Sequence, residues 1–381
     1  MAISFNNISI GSGVALTITP PPPPPPYYIW SWGEGGNGQL GLGNTTNRSS
    51  PTQIGALTNW LKVSGGKYFN MTIKTDGTMW SWGFNSYGRL GLGNTTHYSS
   101  PKQVGSLTNW LTVSAGDSHN MAVKTDGTMW AWGRNDNYGQ LGLGNQTNIS
   151  SPNQIGALTN WLTVSAGYSH NVAVKTDGTM WAWGQNSANK AGQLGLGNTT
   201  DRSSPVQIGT LTTWSSGSAG KRNHSIAVKT DGTMWTWGMN SYGVLGLGNT
   251  TGYSSPKQVG ALTTWLSIAA GYYYSAAIKT DGTLWSWGKN GSGRLGLGDT
   301  TNRSSPVQIG ALTTWLRVSA SKTYCAAIKT DGTLWSWGEN FYGQLGLGNT
   351  TDISSPVQVG ALTTWLDVSA GTGTHILAIS N

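Results

Sequence analysis

The chain has 381 residues, of which 56 are Gly and 21 are Trp, and only 9% are charged. That composition suits short strands and tight turns rather than helices, and 10% aromatic content excludes a disordered chain. The net charge of +8 is scattered, with no Lys/Arg run longer than Lys221-Arg222, so the clustered footprint of specific nucleic-acid binding is missing.

The N-terminus differs from the rest of the chain. Residues 1–19 carry Ile3, Phe5, Ile8, Ile10, Val14, Leu16 and Ile18 in a mostly alternating pattern, with Gly11-Ser12-Gly13 between two halves. This reads as two short strands or one extended arm. An anchor arm that adds strands to a protein partner's sheet is one expectation; an unstructured leader is the other. Residues 20–26 are seven prolines, a polyproline spacer of roughly 22 Å at about 3.1 Å per residue. Neither a signal peptide nor a run long enough for a membrane helix is expected, so no membrane insertion is either.

From residue 27 to 381 the chain repeats itself. Trp-x-Trp-Gly begins at Trp30, Trp80, Trp130, Trp181, Trp235, Trp285 and Trp335. Each copy is followed by Leu-Gly-Leu-Gly-Asn/Asp, then Ser-Ser-Pro, then a lone Trp, and these blocks account for every Trp in the chain. A fixed period of about 50 residues marks one supersecondary unit that cannot bury its apolar face alone.

In one unit, Leu162–Gly167 and His170–Lys175 read as two strands, and Thr176-Asp177-Gly178 as a tight turn. Thr179–Gly184 is predicted as a third strand with both Trp on one face, and Pro205–Gly209 as an outer, fourth strand. Four antiparallel strands per unit and seven units predict an all-β, seven-bladed propeller. The repeat region opens on third-strand residues, Tyr28–Trp32, and closes after second-strand residues, His375–Ile379. The last copy lacks the Lys-Thr-Asp-Gly turn of the other six. The N-terminal strands are therefore expected to complete the last blade and close the ring, leaving no free sheet edge.

Alternating strand direction sorts the loops onto two faces. The turns between strands two and three, and the loops after strand four, nearly repeat in every copy. Loops after strands one and three diverge. They hold Tyr68, Tyr87, Arg134, Tyr138, Tyr168, Lys190, Lys221, Arg222, Tyr242, Tyr272, Tyr273, Lys289, Arg294, Lys322, Phe341 and Tyr342. Residues that build a blade must repeat, because each blade solves the same packing problem, whereas residues facing a partner need not. Tyr, Lys and Arg suit a binding face for a protein or glycan ligand; drift of unconstrained loops is the competing explanation.

The run Val-x-Ala-Gly-x-x-His, Ala-Val-Lys-Thr-Asp-Gly, Trp-Ala-Trp-Gly and Gly-Gln-Leu-Gly-Leu-Gly, nearly complete in residues 164–197, resembles the regulator of chromosome condensation repeat family. The resemblance covers about residues 27–381 and implies the propeller. It implies less about function, since one fold hosts many activities. The family's namesake, a nucleotide-exchange factor, uses an inserted wedge and a basic tail. Here the largest loop excess is three residues, in Gln185–Gln193, and the N-terminus is uncharged. The Gly-Trp-Arg-His-Thr motif of the plant ultraviolet receptor is absent too. Binding a target protein with one propeller face, as a bacterial inhibitor in the family does, stays open.

No enzymatic constellation stands out. His119, His170, His224 and His375 share one repeat position that Phe69, Tyr274 and Tyr324 fill elsewhere, so a packing and hydrogen-bonding post is expected rather than a metal site. The six Asp of Lys-Thr-Asp-Gly are explained by their turns, and Cys325 by packing between apolar residues. No cofactor or metal is expected. The sequence thus points to a non-enzymatic binding or display propeller. Its arm would attach it to a larger assembly, such as a phage or virus particle, with the variable face toward a host-surface protein or glycan. The alternative is a soluble intracellular scaffold that binds a protein partner, with the arm disordered.

Overall fold

A computed structural model of the chain describes residues 26–187 and 191–381. The expected anchor arm, the spacer as far as Pro25, and Lys190 lie outside the described residues. The rest forms seven four-stranded antiparallel sheets. Blades 1 to 6 each take four consecutive strands. In blade 3 these are Trp161–Ala166, His170–Lys175, Met180–Gly184 and Arg202–Gln207. The first strand is innermost, and inner strands of neighbouring blades pack against one another. The outer strand starts three residues earlier than the sequence pattern predicts. Its register shifts between Ala182 and Gly184, and this bulge lets Pro205, which has no N–H, sit within an edge strand.

Blade 7 is the closure. Trp365–Ala370 and His375–Ser380 supply its inner half, and Tyr28–Gly33 and Arg48–Gln53 its outer half. The seam pairs Tyr28 with Ser380 through to Gly33 with His375 without a shift. Ser380 stands where the other blades carry the Lys of Lys-Thr-Asp-Gly, opposite the lone Trp. It accepts the Trp30 indole N–H at 3.0 Å.

The repeated motifs are the parts that join blade to blade. The second Trp of every Trp-x-Trp-Gly is buried and donates its indole N–H to a backbone carbonyl of the preceding blade. Trp183 reaches Gln140 at 3.1 Å, and at the seam Trp32 reaches Gln344 at 3.0 Å. The first Gly of Leu-Gly-Leu-Gly lies against that indole. Gly346 has φ +72°, and a Cβ there would stand 2.7 Å from Trp32 Nε1, which is why the motif cannot carry a side chain. On the inner strands a serine hydroxyl accepts the next blade's amide: Ser64 from Ala115, Ser114 from Ala166, and Ser369 from Gly65 across the seam. Ala269 occupies this position in blade 5, so the ring of serine latches is broken there.

Within a blade, the lone Trp meets both Trp of the Trp-x-Trp pair edge to face, as Trp161 does with Trp181 and Trp183 at centroid distances of 5.9 and 6.3 Å. Each such pair is worth about 0.5–1.5 kcal/mol beyond its buried area. The Lys-Thr-Asp-Gly turn covers this cluster. Lys175 Nζ lies 3.9 Å from the Trp181 ring centroid and 4.7 Å from that of Trp161, a cation–π contact to both. Asp177 accepts the amide and hydroxyl of Thr179 at 2.9 and 2.6 Å, and the Thr179 hydroxyl accepts the Trp181 N–H at 2.9 Å. Those bonds from Thr179 hold the Asp177 carboxyl below its ordinary range.

Candidate binding face

The two loop families fall on opposite faces. Phe84 N–H donates to Tyr68 O at 2.8 Å and Arg134 N–H to Ser118 O at 2.9 Å, tying loops after strand one to loops after strand three. Trp110 N–H donates to Gly77 O at 3.2 Å, tying the turns to the loops after strand four on the other side.

The shared His position lies beneath the divergent face. His119 Nε2 is 2.8 Å from Asn171 Oδ1 on the next blade. The Asn171 amide donates to Gln140 O, so its oxygen faces the ring, and the neutral imidazole must donate from Nε2. His375 meets Asn70 in the same way across the seam, at 2.8 Å. Ser225 and Ser275 take the Asn role toward His170 and His224. Tyr324 fills the position in blade 6 and donates to His375 O at 2.6 Å. Burial pushes His119 and His375 down to about 4, and His170 and His224 to about 3. These are inter-blade posts. Among the described residues no three His, Cys, Asp or Glu gather as a metal site would require. Cys325 is buried, its thiol faces Ser319 O at 3.4 Å, and burial pushes its pKa up.

Above these posts the candidate residues separate into two sectors. Over blades 1 and 2, Tyr68 packs edge-on to Phe84, and the Arg134 guanidinium lies 5.2 Å from the Tyr87 centroid while paired with Asp136. Over blades 4 to 6, Tyr272 and Tyr273 meet at 4.8 Å, and Tyr242 and Tyr273 at 5.4 Å. Arg222 lies 4.9 and 5.0 Å from the Tyr272 and Tyr273 centroids and bonds the Tyr272 hydroxyl. Lys289 covers Tyr242 at 4.9 Å, and Lys322 stands 5.7 Å from Tyr272. Phe341 is 69% exposed and packs on Tyr342. Tyr138 is half-buried, and Tyr168 is exposed. Burial lowers the Lys221 ammonium to about 8, against the pull of Asp117. Tyr87 and Tyr242 sit in one-turn helices with φ of 66° and 65°, a left-handed backbone that costs a bulky residue about 1–2 kcal/mol.

Arg294 departs from the expectation. It is buried, and its guanidinium donates to Lys322 O at 3.1 Å, so it braces a loop and offers nothing to a partner. Its register in the repeat is that of Gln39, Gln140, Gln193 and Gln344, all buried, and that alignment was the available signal. Arg89, in the same register, is also buried, beneath Phe84 at 5.0 Å. The repeating face has apolar exposure of its own: Leu57, Leu107, Leu158, Leu211, Leu262, Leu312 and Leu362 are each 41–48% exposed.

Seven closed blades with these joints define a repeat propeller whose motifs recur blade by blade. The regulator of chromosome condensation (RCC1) repeat model matches residues 28–73, 76–123, 126–174, 177–228, 231–278, 281–328 and 331–379, and the chain belongs to that family. It is 35% identical over 130 residues to the ultraviolet-B receptor UVR8 of Arabidopsis thaliana, covering 33% of this chain and 29% of the receptor. It is 35% identical over 141 residues to the human X-linked retinitis pigmentosa GTPase regulator, covering 34% of this chain and 13% of that protein. The matched segments thus span less than a third of these relatives. Prp20p from Saccharomyces cerevisiae, whose structure was described with its binding to Gsp1p and histones, superposes with a TM-score of 0.83 at 22% identity, covering 93% of this chain and 91% of that one. At that identity the likeness shows the fold alone. No helix among the described residues is long and apolar enough to cross a membrane.

Proposed function

We propose that this chain is a non-enzymatic scaffold propeller that binds a protein partner through its divergent face. The observation that carries the reading is the contrast between the faces. The repeated Trp, Gly, Ser and Lys-Thr-Asp-Gly positions join blades or hold one together, whereas the divergent loops gather paired Tyr rings and cations that no blade joint requires. Two of those Tyr hold a costly backbone, which an unconstrained loop would relax. Strained, aromatic-rich loops on a rigid frame suit recognition. Prp20p, with the same fold, is described with protein partners, which agrees with this use. The titratable groups that a reaction would need are committed instead: the His rings to inter-blade bonds and the Asp carboxyls to turns. Attachment to a particle through residues 1–19, with a glycan on the face, gains no support from the described residues.

The test is a comparison of faces. Tyr87→Ala, Tyr138→Ala, Tyr242→Ala and Phe341→Ala combined, which span both sectors of the divergent face, should abolish cross-linking to the chain's partner, and Leu57→Ser with Leu158→Ser on the repeating face should leave it intact. The reverse pattern would refute the proposal.

A further inference from the structure

We propose that the sector of the divergent face over blades 4 to 6, built by Arg222, Tyr242, Tyr272, Tyr273, Lys289 and Lys322, is a docking site for an acidic segment of a protein partner. This rests on the reading of that face as a binding surface and narrows it to one sector and one chemistry.

The first argument is charge. Loops 220–223, 239–252, 271–273 and 321–323 contain no Asp or Glu, and Asp299, in the loop that Lys289 opens, is paired with Arg303. None of the three ion pairs among the described residues involves Arg222, Lys289 or Lys322. Of the other acids of this face, Asp117 acts on Lys221 and Glu339 on Arg294, while Asp352 accepts the Asn340 N–H at 2.8 Å. Over blades 1 and 2 the corresponding loops carry Asp117 and Asp136, and Arg134 is already neutralised. The imbalance therefore belongs to one sector of the face.

The second argument is preorganisation. Arg222 and Lys289 both lie over the Tyr273 ring, at 5.0 and 5.6 Å, and Lys322 over Tyr272. The rings hold the cations close together against their own repulsion. Arg222 uses one N–H on the Tyr272 hydroxyl, and its Nε is buried, so the N–H groups left to offer are those of its other terminal nitrogen, which bonds nothing among the described residues. Cations fixed in place with unspent donors match carboxylates at a low ordering cost. Tyr242, 41% exposed at φ 65°, is kept in this arrangement despite its backbone strain. Nucleic acid fits less well. The Tyr faces that would stack bases are already covered by cations or by ring edges, and three free cations neutralise only a short run of phosphates.

The experiment uses the full chain and a labelled decaglutamate peptide, measured by fluorescence anisotropy at low salt. Arg222→Gln with Lys289→Gln and Lys322→Gln should weaken binding about tenfold, as expected for three modest exposed pairs. A control removes the same charge from the outer strands: Arg48→Gln, Lys102→Gln and Lys257→Gln. It should change binding by less than about twofold, since those three side chains stand on outer strands and not in the loops that build the sector. Lys322→Glu alone, on an exposed loop, should also weaken binding without altering the melting temperature. Equal loss in the two triple variants, no binding by the unaltered chain, or tighter binding of an oligo-dT of equal charge would each overturn the proposal. Partner cross-links on the divergent face but outside blades 4 to 6 would also overturn it, while leaving the function proposed for that face standing.

Discussion

Gly346→Ala tests whether the Trp–Gly joint holds the ring closed. Gly346 has φ +72°, and an added Cβ would stand 2.7 Å from Trp32 Nε1 and 3.0 Å from its Cδ1 and Cε2. Two costs combine. Placing Ala at positive φ costs about 1 kcal/mol. The clash then forces Trp32 outward, which lengthens its 3.0 Å bond to Gln344 O at about 1 kcal/mol and strains a packed indole at about 1–2 kcal/mol. The total is about 3–4 kcal/mol. Gly360→Ala is the matched control: its φ is +60°, and nothing lies within 4 Å of the added Cβ, so only the backbone cost of about 1 kcal/mol remains. For a chain of this size about 1 kcal/mol corresponds to little more than about 1 °C. Differential scanning calorimetry should therefore show Gly346→Ala melting about 4 °C below the unaltered chain and Gly360→Ala about 1 °C below. If both variants melt at the same temperature, the close approach of glycine to indole contributes nothing, and the explanation of Leu-Gly-Leu-Gly is wrong.

Three further outcomes follow from the same joints. Ala269→Ser should restore the missing latch by giving the Ala320 amide an acceptor, gaining about 0.5–1 kcal/mol in chemical denaturation; an unchanged midpoint would count against the latch. The four buried His rings have folded pKa values of about 3 to 4, against 6.5 for the free ring. The unfolded chain therefore binds protons first, so their contribution is complete above about pH 6.5 and is lost as pH falls toward 4 and then 3. Stability should drop by several kcal/mol between about pH 6.5 and 4.5, and a flat denaturation midpoint across that window would refute neutral buried rings. Removing residues 366–381 strips blade 7 of its inner half and leaves Tyr28–Gly33 with an open edge, so the truncated chain should lose its cooperative melt and aggregate; a melt like that of the full chain would exclude closure by that seam.

Much of the fold is legible because repetition averages out local ambiguity. Trp-x-Trp-Gly, Lys-Thr-Asp-Gly and the lone Trp each recur in the same order, and their period-two spacing places the apolar residues on one face of a strand. The closure is legible for a related reason, since the missing turn after His375–Ser380 and the unpaired start at Tyr28 complement each other. The outer strands are less so: Arg202–Gln207 reads as a shorter strand, because a bulge hides its first residues from a simple alternation. At the candidate face, the sequence separates loops that repeat from loops that diverge, and with them the residues free of packing duty. It misplaces Arg294, because a charged side chain reads as exposed unless its register is compared with the buried Gln of other copies.

What the sequence by itself determined is the ring: seven copies of one packing problem have one shared solution, written in short-range motifs. What only the tertiary structure decided is which side chains meet across blades. Arg222 and Tyr272 are 50 residues apart, and His375 and Asn70 are 305 apart. No local spacing encodes such contacts. They arise when neighbouring blades dock, and docking decides that four histidines become joints, Arg294 a brace, and Arg222, Lys289 and Lys322 an unneutralised cluster over tyrosine rings.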